Sequence, residues 1–220
     1  MEDFTAMNTD QTDQLINQLK QRAEEIVKRG NDVRAEISRL VSDSTGKFYE
    51  TRDGLTRMVK AVAEGAADAA KDSLPEKSES VLHSVVDGLA DGLTKSVQAV
   101  RLTLEESSAS SVHFAKDDLD KIARDFRTVG EVFGNIVSDA TSRLGGHVAQ
   151  QGRTISEHAK QTLQNVWPSL ESAIKAALHD PVKLGRESLH AGSSAAQQAT
   201  GVLFSELGKR LQETGDKLRH

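Results

Sequence analysis

The chain has 220 residues, a formal net charge of −5 and only eight aromatic side chains. Because large side chains supply most of the free energy of burial, this composition argues against one thick globular core. The sequence contains no cysteine, which excludes disulfides and thiolate zinc sites, and no basic run interleaved with aromatics, which argues against nucleic-acid binding.

The first predicted element, after a mobile tail of residues 1–9, is a heptad helix over residues 10–44. Its apolar side chains recur at spacings of three and four residues, which is typical of a coiled-coil seam. The heptad seam consists of Ile16, Leu19, Ile26, Val33, Ile37 and Leu40. A parallel homodimer would oppose Arg29 to Arg34, so an antiparallel partner within the same chain is favoured. The polar run 42–46 is predicted to end this helix.

An alanine-rich helix is predicted over residues 49–72, and the sequence at 73–76 fits a capping box that opens the next helix. A helical tract over residues 75–167 then carries an eleven-residue repeat. Counted in elevens from Leu82, the first and eighth positions are apolar in fifteen of sixteen cases. Eleven residues make three turns of about 3.67 residues each, so the apolar line stays on one face of the helix.

This apolar line is predicted to be an interaction face, and we call it the eleven-residue face. Its residues are Leu82, Leu89, Leu93, Val97, Val100, Leu104, Ile122, Phe126, Phe133, Leu144, Ile155 and Val166. Serines at 107–111 and a glycine pair at 145–146 are possible breaks. Unbroken, residues 82–167 would extend about 130 Å, whereas a folded-back tract would form a bundle.

A short helix over residues 169–179 and a C-terminal amphipathic helix over residues 181–217 complete the predicted elements. With three prolines and very few candidate strand runs, the chain is predicted to be all-α. Its long amphipathic helices are expected to form an elongated or antiparallel helical bundle, or a coiled-coil-like assembly.

No motif supports catalysis, so the chain is predicted not to be an enzyme. Gly46 and Lys47 lack the glycine five residues earlier that a phosphate loop needs. His147 and His158 are eleven residues apart, about 16 Å along one helix, which is too far to share a metal ion. No cofactor or metal site is therefore expected. With no secretory signal and no transmembrane span in the pattern, a cytoplasmic location is expected.

The eleven-residue face predicts a partner surface. Seven glycines in residues 82–167 weaken the isolated helix by about 1 kcal/mol each. Docking the apolar side chains returns on the order of 20 kcal/mol as an upper estimate. The helix is therefore expected to be stable only when a partner covers its apolar face, and that partner is either other helices or an apolar phase.

The eleven-residue repeat and the scarcity of aromatics resemble the exchangeable apolipoproteins, the perilipins and the late embryogenesis abundant proteins. The alanine-rich piece 61–72 particularly resembles the last of these. In size, helical content and its Ala/Gln/Ser-rich segment 193–200, the chain is similar to bacterial phasins, which coat polyester storage granules. These resemblances imply an amphipathic helical protein that binds an apolar surface.

Three functions follow as hypotheses. The first is a non-enzymatic, phasin-like protein that coats an apolar intracellular surface, either a storage granule or neutral lipid. The second is a soluble coiled-coil or helical-bundle scaffold, or a homo-oligomerisation protein, in which the face packs on helices of the same chain or of another protein. The third is a stress-protective protein that folds conditionally.

Overall fold

The computed structural model describes residues 9–48, 53–71, 75–109 and 116–144, together with part of the stretch 154–175. Within these residues the regular structure is helical, and no strand occurs. The helices are α1 (Thr9–Arg29), α2 (Val33–Phe48), α3 (Gly54–Ala70), α4 (Pro75–Ala109) and α5 (Lys116–Ser142). The helices pack against one another, so the prediction of an all-α protein is confirmed.

The heptad helix predicted over residues 10–44 is divided in the structure between α1 and α2. Gly30 has a φ of 70° and Asp32 a φ of 43°, in the left-handed region that turns the chain out of a helix. The Gly30 N–H still donates to the Ile26 carbonyl at 3.1 Å, which caps the end of α1. The heptad pattern gives no sign of this turn, because the apolar positions keep the same spacing on both sides of it.

The heptad seam nevertheless faces inward on both helices. Leu19, Ile26, Val33, Ile37 and Leu40 are buried, and Ile16 is half-buried against the core. The predicted break at residues 42–46 is absent, since α2 continues through it to Phe48. The hydroxyls bond within the helix there: Ser42 donates to the Arg39 carbonyl at 3.1 Å. This local satisfaction lets a polar run stay helical.

Helix α3 lies at the centre of the bundle and packs against α1, α2, α4 and α5. The sequence predicts this helix over residues 49–72, and the structure has it from Gly54 to Ala70. Its buried residues are mostly small, with six alanines and two glycines among them. Arg57, Lys60, Glu64 and Asp68 form one charged stripe, and the small buried side chains around the rest of α3 let several helices pack on it.

The eleven-residue tract folds back on the bundle, because α4 and α5 both pack on α3. Helix α4 ends at Ala109, within the predicted break at 107–111. The break at 145–146 and the helix predicted over 181–217 lie outside the described residues, as do positions 1–8 of the predicted tail. Within the short helix predicted over 169–179, residues 170–175 are helical.

The close approach of α1 to α3 generates a stability prediction. A Cβ added at Gly65 would lie well inside van der Waals contact of the Lys20 carbonyl, whereas one at Gly130 meets nothing within 4 Å. Gly65→Ala should therefore lower the free energy of unfolding by about 2 kcal/mol, because α1 has to shift. Gly130→Ala, the matched control, should raise it by up to about 1 kcal/mol through helix propensity.

Urea denaturation followed by circular dichroism measures both values. Equal unfolding free energies for the two variants would contradict this packing of α1 on α3.

Candidate functional site

The eleven-residue face is turned toward the interior of the bundle. Its described members on α4 and α5 are each at most 5% exposed. These residues are Leu82, Leu89, Leu93, Val97, Val100, Leu104, Ile122, Phe126 and Phe133. Leu144 is half-buried and packs on the core, while Ile155 and Val166 lie outside the described residues. The partner of the face in this structure is therefore protein.

The buried surface of α4 and α5 is wider than the repeat alone indicates. Val85, Val86, Val129 and Ile136 are also buried beside the face. The first and eighth positions of the repeat do not include these residues, because two positions per repeat define a narrow row of side chains and not the full width of the buried surface. The signal was available in the consecutive apolar residues 85–86 and 136–137, since neighbouring apolar residues widen a helical stripe.

Two glycines let the backbones of α2 and α4 approach closely. A Cβ on Gly88 would lie 2.6 Å from the Arg34 carbonyl oxygen, and one on Gly92 would lie 2.7 Å from that of Ser38. Either contact is far shorter than a real side chain tolerates. The glycines are four residues apart and share one helical face, so they form a shallow groove that receives α2.

A hydroxyl pair continues this groove into the core. The Oγ1 atom of Thr45 lies 2.9 Å from the Oγ atom of Ser96, and both residues are fully buried. Each hydroxyl also lies within 2.9 Å of a carbonyl of its own helix, that of Val41 or of Gly92. The two hydroxyl groups have one hydrogen each, whereas there are three short oxygen–oxygen contacts. One hydroxyl therefore donates to the other across the interface, and the second donates to the carbonyl of its own helix.

Ion pairs lie at the edges of the same interfaces. Arg34 on α2 donates from Nε to Asp91 at 2.7 Å and from Nη1 to Asp87 at 3.3 Å. These two aspartates flank Gly88 on α4. The Asp91 hydrogen bond and charge raise the pKa of Arg34 above its ordinary value. The pairs hold α2 in register over the glycine groove.

Comparable pairs join the other helices. Lys20 on α1 contacts Asp68 on α3 at 2.8 Å, and Arg143, just after α5, contacts Glu64 on α3 at 2.7 Å. The hydrogen bond from Lys20 is the main cause that lowers the pKa of Asp68 below its ordinary value. All four side chains are partly exposed, so each pair is worth on the order of 0 to 1 kcal/mol.

Among the described residues, no group of three histidine, aspartate or glutamate side chains is placed to hold a metal ion. None of the described helices is both long enough and apolar enough to cross a membrane.

The fold and the site together define a helical-bundle protein whose amphipathic repeat is packed on its own helices. The sequence profile of a family of unknown function, DUF6781, matches residues 6–213. The chain therefore belongs to this family. No curated protein and no solved structure matches it.

The Lys20–Asp68 pair generates a pH prediction. A lowered pKa in the folded state means that the pair stabilises the bundle above the ordinary aspartate pKa of about 3.9, and that this contribution is lost as pH falls through the folded value. Asp68→Asn should therefore lower the unfolding free energy by about 0.5 kcal/mol at pH 7, after allowance for solvent screening, and by less at pH 2.

Glu25→Gln, at an exposed position within α1, is the matched control and should give a difference close to zero at both pH values. Thermal or urea unfolding at several pH values measures these differences. An Asp68→Asn effect that persists unchanged at pH 2 would exclude the ion pair as its cause.

Proposed function

We propose that this protein is a non-enzymatic coat protein for an apolar intracellular surface, such as a storage granule or neutral lipid. In this proposal it is cytoplasmic, and it keeps the eleven-residue face inside a closed bundle until it meets that surface. The bundle then opens, and the face transfers from its own helices to the apolar phase. The observation that carries the proposal is the burial of the described face residues on α4 and α5, each of which is at most 5% exposed.

The closed bundle has little apolar surface with which to bind. Among the described residues, Leu102, at 44% exposed, is the one large hydrophobic side chain that is substantially exposed to solvent. Contiguous apolar patches are what mark lipid-binding and protein-binding surfaces. Coating therefore requires exposure of the buried face, as for amphipathic helices that bind in the interface plane.

The composition of the core supports opening. Helix α3 contributes Ala61, Ala63, Ala66 and further alanines to the interior, each of which buries much less apolar area than leucine. A core of small side chains gains less free energy per residue on closing, so an apolar phase can compete with it.

A second candidate is a soluble helical-bundle scaffold that never opens and that binds other helices or its own copies. The glycine groove of α4 favours this candidate, because the fit of α2 against Gly88 and Gly92 is specific to a closed bundle. The two candidates differ in one measurable respect, which is whether α2 must leave α4 before an apolar phase is bound.

A reversible disulfide across the α2–α4 interface tests this requirement. The sequence contains no cysteine, so Thr45→Cys with Ser96→Cys introduces the two thiols of the chain. The wild-type hydroxyl oxygens at these positions are 2.9 Å apart, close enough that sulfurs replacing them can bond. We expect the reduced variant to float with a triacylglycerol emulsion and the oxidised variant to remain in the aqueous layer.

Each single-cysteine variant is the control and should float whether or not reductant is present. Flotation of the oxidised double variant to the same extent as the reduced one would overturn the opening step. Failure of the wild type to bind either the emulsion or polyester particles would overturn the coating function, and would leave the scaffold candidate to be examined by sedimentation.

A further inference from the structure

A cavity of about 270 Å³ lies where α4 and α5 meet the helical residues around Trp167. Its walls are largely apolar, and four of its lining side chains are polar. The apolar side chains are those of Leu93, Val97, Phe126, Val129, Leu163 and Trp167. The polar ones are Arg127, Glu131, Lys160 and Gln164. The cavity borders the eleven-residue face, since three of its apolar residues belong to that face.

Gly130 lines this cavity at a position with open space around it, since a Cβ built there meets no atom within 4 Å. Gly65, Gly88 and Gly92 are different, because neighbouring backbone occupies the place of their side chains. Glycine weakens a helix relative to alanine, and crowding by neighbouring atoms does not explain a glycine at position 130. At Gly130 the effect of the missing side chain is empty space in the cavity.

The size of the cavity limits its ligand. An apolar cavity of about 150 Å³ accommodates benzene, so one of about 270 Å³ accommodates roughly eleven non-hydrogen atoms. An aliphatic chain of eight to ten carbons with a small headgroup has this size. Apolar walls with a few polar groups are typical of small-molecule sites.

The charges at the cavity favour an anionic headgroup. Two cationic side chains, Arg127 and Lys160, line it against one carboxylate, Glu131. The Arg127 guanidinium lies 5.3 Å from the centre of the Trp167 ring, so it covers that ring in a cation–π contact. Lys160 is half-buried, where a pair with an anion is screened less than at the open surface.

We propose that this cavity binds a medium-chain aliphatic carboxylate. The chain packs between Phe126, Val129 and Leu163, in the space left by Gly130. The carboxylate accepts a hydrogen bond from the Lys160 ammonium, and the Arg127 guanidinium closes over Trp167 beside it. This binding is separate from the proposed coating function, because it needs neither an apolar phase nor an open bundle.

The full-length protein reports on this site directly, since Trp167 is its single tryptophan. Octanoate, with ten non-hydrogen atoms, is the probe, and 1-octanol is its uncharged analogue. Both are titrated below the octanoate micelle-forming concentration while Trp167 fluorescence is recorded. We expect saturable binding of octanoate and about fivefold weaker binding of octanol, the difference made by one partly screened ion pair.

Two variants separate the apolar and charged parts of the site. Gly130→Leu fills the cavity and should weaken octanoate binding about tenfold or more. Thr128→Leu adds the same side chain at an exposed position of α5 and should leave binding unchanged. Lys160→Gln should remove the preference for octanoate over octanol while leaving octanol binding as it was.

Three results would overturn the proposal: no saturable change in Trp167 fluorescence, wild-type affinity in Gly130→Leu, or equal affinity for octanoate and octanol in the wild type. Circular dichroism checks that each variant is folded. If Gly130→Leu does not fold, the Lys160→Gln comparison decides the proposal by itself, because that substitution adds no volume to the cavity.

Discussion

The contact between the backbones of α2 and α4 is the constraint on which the rest of this interface depends. Gly88 and Gly92 leave no side chain at these two points, and atoms of α2 occupy the places where larger side chains would stand. Gly88, Gly92 and Ser96 follow at intervals of four along one row of α4. At the two glycines this row contacts the backbone of α2, and at Ser96 its hydroxyl forms a hydrogen bond with Thr45 of α2. The ion pairs of Arg34 at Asp87 and Asp91 flank the same row, so groove, hydroxyl pair and ion pairs share one register.

This arrangement also explains how a chain with few large side chains makes a core. Close approach compensates for small volume, because dispersion attraction grows with the number of atoms in contact rather than with the size of any one side chain. Helix α3 applies the same device at Gly65 against α1. The larger buried side chains, such as Phe48, Met58 and Phe133, then fill the space that the small residues do not. Close packing is thus concentrated where α1 meets α3 and where α2 meets α4.

The repeat predicted the buried stripe of α4 and α5 because burial follows helical periodicity, which is local to the sequence. It did not by itself show that α4 packs mainly on α2 and α5 on α3, since these pairings depend on residues far away in the chain, although the heptad seam did favour a partner within the same chain. The turn at Gly30 was missed because the seam from Ile16 to Leu40 stays in phase across it. The run 42–46 was misread as a break because serine and threonine favour turns in isolation, whereas here their hydroxyls bond within α2.

The proposed coating function places a specific energetic demand on these contacts. An apolar phase offers the face roughly the same burial of apolar area that the bundle offers, so that term nearly cancels between the closed and the surface-bound states. Three kinds of contact exist in the closed bundle and would be absent in the surface-bound state. They are the glycine groove, the Thr45–Ser96 hydroxyl pair and the ion pairs at the edges of the groove. These polar and close-packing terms therefore set the free energy that holds the face inside. The edge ion pairs are partly exposed and screened by salt, so in the proposed opening step the α2–α4 groove would be the larger of these two contributions.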